Sequence, residues 1–120
     1  MNFYLIDSAD IDINNIYKYI YKYKEVGYRI SHEFICYILE KNIVKEDEIP
    51  ILNNIDPFAA VIIKCNLNDF KKEIELLSIR LTNVDLISFE EDKKDISKLI
   101  IMIQKAIDNN LLIFSLGDWA

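Results

Sequence analysis

The chain has 120 residues, of which 52% are hydrophobic and 28% charged, with 20 acids against 14 bases and a net charge of −6. That length suits one domain with its own core, and the composition excludes a disordered or fibrous chain. The acidity excludes general binding to nucleic acid, whose phosphates would be repelled, and favours a basic protein partner.

Asn2 to Ile6 reads as a short strand, and Asp7-Ser8 turns the chain. From Ile11 to Lys24 the pattern is helical: Ile13, Ile16 and Ile20 share a face, while Tyr19 and Tyr21 lie at its margins, where a ring packs and its hydroxyl stays wet. Gly27 suits a helix stop. Ser31 then caps a helix running to about Lys41, with Phe34, Ile35, Ile38 and Leu39 inward. Asn42 to Asp56 is acidic, carries Pro50 and the Asn53-Asn54 pair, and is expected to be an exposed connector, mobile relative to the rest.

Phe58 to Cys65 admits two readings. Asp56-Pro57 is a helix-start signal, but the β-branched run Val61-Ile62-Ile63 and the short length favour a buried strand. Asn68 caps a helix from Asp69 to Leu81, with Phe70, Ile74, Leu77 and Leu81 on one stripe. The C-terminal third reads as strand, helix, strand: Val84 to Phe89, then Asp95 to Asn109, then Leu111 to Leu116. Ile96, Leu99, Ile100, Ile103 and Ile107 form one stripe on that helix, with Asp92 or Asp95 as its cap and Asn109-Asn110 as its stop. The last strand shows no polar alternation before Ser115, as for a strand covered on both faces. Two strands joined by one helix predict a parallel pair with a right-handed crossover.

The expected architecture is a single α/β domain over residues 1–120, with about four mostly parallel strands, about four helices and a C-terminal β-α-β unit. If Phe58 to Cys65 is helical, the domain becomes α+β with fewer strands.

Motifs for catalysis are sparse. The chain has two glycines and lacks both GxGxxG and GxxxxGK[ST], which excludes Rossmann and P-loop nucleotide binding; no cofactor is expected. His32, the single histidine, stands four residues before Cys36, a spacing at which an imidazole can activate a thiol. Cys36 lies amid apolar residues, however, so Cys36 and Cys65 are expected to be reduced, buried thiols, and no catalytic residue is assigned. Two cysteines and one histidine also fall short of a four-ligand zinc site without a carboxylate.

In a parallel sheet, Asp7, Glu90, Asp92 and Asp118 would gather at the strand ends and could hold Mg²⁺. That alternative describes a metal-dependent enzyme acting on a phosphorylated or nucleotide substrate. The preferred reading uses acidic residues for binding instead: Glu46-Asp47-Glu48 and Glu90-Glu91-Asp92 docking on a basic partner, with Tyr19, Tyr21 and Trp119 as interface anchors. The run Tyr17 to Lys24 spreads round a whole helix circumference, so no single-stranded nucleic-acid platform is expected.

Met1 to Asp12 lacks a basic n-region, and the longest apolar stretch, Leu99 to Ile103, is too short to cross a bilayer; a cytoplasmic protein with no membrane contact is expected. The expected function is non-enzymatic: a binding or inhibitory protein of the immunity type, neutralising a cognate toxin such as a nuclease. A homodimeric structural or regulatory subunit, using Ile101 and Met102 as an exposed apolar patch, is a further alternative.

Overall fold

Every strand pairing in the sheet is antiparallel. The computed structural model describes residues 1–6, 28–63, 66–84 and 87–117. Among these, β1 (Asn2–Ile6), β2 (Tyr28–Arg29), β3 (Ala60–Ile62) and β4 (Leu112–Leu116) form one sheet in the order β2-β1-β4-β3. The described helices are α1 (His32–Glu40), α2 (Pro50–Asn53), α3 (Leu67–Leu81) and α4 (Glu90–Asn109), with 3₁₀ turns at Glu46–Glu48 and Ile87–Phe89. The fold is therefore α+β. The expected mostly parallel α/β sheet with its C-terminal β-α-β unit is overturned by these pairings. The helix expected over Ile11 to Lys24 lies outside the described residues.

The cause of the difference is physical. Unbroken apolar runs such as Phe3-Tyr4-Leu5-Ile6 and Leu112-Ile113-Phe114 report burial on both faces of a strand, and burial says nothing of direction. Phe3, Leu5 and Ile113 enter the core shared with the helices. On the opposite face, Tyr4, Ile6 and Phe114 make a second cluster with Ile62, Leu112 and Leu116. There the Tyr4 and Phe114 rings stack with centroids 5.0 Å apart, and burial raises the Tyr4 hydroxyl's pKa.

No strand is found among the described residues of Val84 to Phe89. Val84 has no regular structure, Ile87–Phe89 form the 3₁₀ helix, and Phe89 packs its ring against Phe34 (5.6 Å) and Tyr37 (5.2 Å) of α1. An apolar, β-branched run this short serves equally as a plug beneath a helix. Helix α4 starts at Glu90 rather than Asp95, and Asn110, with φ 52°, ends it in the left-handed conformation expected of asparagine. Helix α3 starts two residues before the expected position, because Asn66, not Asn68, caps it: the Asn66 side-chain oxygen accepts from the Asn68 N–H at 2.9 Å.

The core lies between the sheet and the packed pair α3 and α4. Phe70, Ile74 and Leu77 of α3 and Ile96, Leu99 and Ile103 of α4 are fully buried, each contributing about 1.5–3 kcal/mol by leaving water. Phe70 meets Phe3 of the central strand at 6.2 Å.

Asn42 to Asp56 is not the exposed connector its acids suggested. Val44, Ile49, Leu52 and Ile55 are all buried in the main core, and α2 forms within the segment. Its charged residues mask an apolar set spaced by five, three and three. Glu73 of α3 fixes it in place: this carboxylate, only 7% exposed, accepts from the Ile51 N–H at 3.0 Å and the Leu52 N–H at 3.1 Å. It thus satisfies donors at the start of α2 that the helix itself cannot. Burial dominates the Glu73 environment and raises its pKa, against the lowering effect of the two N–H donors.

Candidate functional site

The two edges of the sheet are treated differently, and that contrast locates the candidate site. On β2, Ile30 N–H donates to the Met1 carbonyl, so Arg29 and Ser31 turn their N–H groups outward. Both are covered by α4: the Asp95 carboxylate accepts from the Arg29 N–H at 3.1 Å, and Asp92 accepts from the Ser31 N–H at 2.7 Å. Carboxylates one turn apart on a helix here stand in for the missing neighbouring strand and close the edge.

On β3 no such cover is seen among the described residues. Ile63 N–H donates to the Ile113 carbonyl and Gly117 N–H to the Ala59 carbonyl, which makes positions 59, 61 and 63 the bonded pairs with β4. By the alternation of an antiparallel ladder, Ala60 and Ile62 present their N–H and C=O groups away from the sheet. No described group bonds to these outward atoms.

Beside this edge runs an apolar cleft of about 350 Å³ lined by Pro50, Ile51, Asn54, Ile55, Val61, Ile62 and Ile63. Helix α2, held by Glu73, forms one wall and β3 the other. Asn54 is the one polar residue in the lining, and its side-chain amide already donates to the Pro50 carbonyl at 2.7 Å. Phe58, just before β3, is 56% exposed. An unpaired strand edge flanked by an uncharged cleft can accept an added strand whose alternate side chains enter the cleft.

The sequence-predicted acidic residues divide into two groups. Glu46, Asp47, Glu90 and Glu91 are exposed, and Glu91 lies 3.9 Å from the Lys94 ammonium. Glu48 is tied down instead. It accepts from the Lys45 N–H at 3.0 Å and pairs with Arg80 at 2.7 Å, and the Lys45 backbone, foremost, together with Arg80 lowers its pKa. Asp92 is equally committed, to Ser31. Arg80, which Glu48 holds, sits in the last turn of α3, and Glu90 to Asp92 form the first turn of α4. Lys45 precedes the first acidic triplet in sequence, and Lys93 and Lys94 follow the second. Asp7, Tyr19, Tyr21, Asp118 and Trp119 lie outside the described residues.

The strand-end carboxylate site loses its geometric premise, because an antiparallel sheet does not gather its strand ends on one side. Among the described residues no group of three His, Cys, Asp or Glu side chains could hold a metal ion, and no helix is long and apolar enough to cross a membrane. Met102, expected on the surface with Ile101, is buried in the core, while Ile101 is 69% exposed. Cys36, expected to be buried, is exposed, its sulfur 3.6 Å from the His32 Nε2. The helical wheel carries that signal: with Phe34, Ile35 and Ile38 inward, positions 32 and 36 fall on the outer face.

The free β3 edge and its cleft are what the sequence reading missed. Val61-Ile62-Ile63 reads as a buried strand, and edge status depends on strand order, which no local pattern records. No family model, curated protein or solved structure matches this chain.

Proposed function

We propose that this protein works without catalysis, by binding and blocking a basic macromolecular partner. One observation supports this reading most: the uncovered outer edge of β3 beside an uncharged apolar cleft, in a fold that closes its other edge with Asp92 and Asp95. The occupant is an extended apolar segment of the partner, joining the sheet through Ala60 and Ile62. The net charge of −6 and the exposed Glu46, Asp47, Glu90 and Glu91 favour a basic protein and speed its approach. The specific form we propose is an immunity-type protein that neutralises a cognate toxin, such as a nuclease.

The test is capture by the tagged full chain from its native cells at low and high salt, with eluates identified by mass spectrometry. A basic partner is expected that weakens as salt rises. Ala60→Pro removes an outward N–H without breaking a bond to β4, and is expected to weaken capture about ten-fold at an unchanged melting temperature. Ala60→Lys, at the same exposed position, serves if the proline variant unfolds. Absence of a partner at either salt, or capture indifferent to both substitutions, overturns the reading.

A further inference from the structure

His32 and Cys36 occupy one exposed face of α1, a turn apart, with the sulfur 3.6 Å from Nε2. Zinc bonds to sulfur at about 2.3 Å and to imidazole nitrogen at about 2.0–2.1 Å, so a tetrahedral angle sets the two donor atoms about 3.5–3.6 Å apart. The pair already stands at that separation. Phe58 packs against the imidazole at 5.8 Å in an edge-to-face arrangement, which restricts the ring's rotation. The donor set, one thiolate and one imidazole, is the soft tetrahedral kind that selects zinc.

Among the described residues no third His, Cys, Asp or Glu joins this pair. A closed structural site needs four ligands. We propose that two copies of this chain share one zinc ion, each contributing His32 Nε2 and Cys36 Sγ to a Cys₂His₂ site across a two-fold axis. A two-fold contact repeats the same patch on both sides, so two ligands per chain complete the tetrahedron without any further residue. The exposed Phe58 ring beside His32 supplies apolar surface that the second copy covers on docking.

The test uses the reduced full chain with Zn²⁺ and, as a spectroscopic stand-in, Co²⁺. Zinc is expected to convert monomer to dimer in sedimentation at one ion per two chains, and a chelator to reverse it. Cobalt is expected to give a sulfur-to-metal charge-transfer band with intense tetrahedral visible bands. Cys36→Ser and His32→Ala are each expected to weaken cobalt binding at least about a hundred-fold, since even the loss of an outer-sphere partner costs ten- to a hundred-fold. Both positions are exposed, so both variants are expected to keep the wild-type far-UV spectrum. A chain that stays monomeric at half an equivalent of zinc, binding that saturates first at one ion per monomer, or a cobalt spectrum unchanged in Cys36→Ser overturns the shared site.

Discussion

Replacing Glu73 with alanine is expected to lower the unfolding free energy by about 3–4 kcal/mol. The side chain is buried, and one of its oxygens, Oε1, accepts from both the Ile51 N–H and the Leu52 N–H. Alanine leaves both donors without that acceptor, at about 1–3 kcal/mol for each unsatisfied buried group, and opens a small void beneath α2. Glutamine behaves differently. Its single amide oxygen can take both donors, and it carries no charge into a site where burial already disfavours the charge, so Glu73→Gln is expected to cost under about 1 kcal/mol.

A pH signature separates the two effects. Burial raises the Glu73 pKa in the folded chain, so the folded state holds this proton more tightly than the unfolded one. The resulting stabilisation is fully present below the unfolded value, about 4.3, and is lost as pH rises through the folded value. Urea midpoints measured upward from about pH 4 should therefore show a falling contribution in the parent protein that is missing in Glu73→Gln. Equal pH slopes in the two proteins would show that this carboxyl is not desolvated as described.

Gly117→Ala is expected to cost about 3 kcal/mol, the upper end of what overpacking does. A Cβ at this position would stand 2.5 Å from the Pro57 carbonyl oxygen and 2.7 Å from both the carbonyl carbon and Cα of Phe58. These are backbone atoms, which cannot swing aside as a side-chain tip can. Gly117 also donates to the Ala59 carbonyl at 3.0 Å, the bond that begins the β3–β4 pairing. Pushing the two segments apart therefore weakens the anchorage of β3 as well as overall stability. The expected record is a fall in melting temperature of about 10 °C, together with weaker capture of the proposed partner. A variant as stable as the parent would mean that the Pro57-Phe58 segment does not lie against β4.

Much of the local structure is legible in the residues. The stripe Phe70, Ile74, Leu77 and Leu81, the Ser31 cap and the Asn110 stop each follow from a short-range rule, and each is found. Strand direction was not legible, because Leu112 to Phe114 record only that both faces are covered. Pairing partners were hidden for the same reason: β4 lies between β1 and β3, more than a hundred residues from one and about fifty from the other.

The candidate site divides along the same line. That Glu46, Asp47, Glu90 and Glu91 are exposed could be read from charge alone. That Asp92 closes a strand edge and Glu48 holds Arg80 could not, since both contacts join residues more than thirty apart. The outward groups of Ala60 and Ile62 needed the strand order as well. Local chemistry marks which side chains are polar, whereas the fold decides which of them are already occupied.

The open β3 edge is the centre of this account, and amide hydrogen exchange on the labelled full chain tests it most directly. Ala60 and Ile62, whose N–H groups face away from β4, are expected to exchange at least about ten-fold faster than Val61 and Ile63, whose N–H groups face it. Adding the captured partner should then slow Ala60 and Ile62 selectively. Exchange at Ala60 and Ile62 as slow as at their two neighbours in the protein alone would mean that the edge is already covered, and the proposed docking site would not exist.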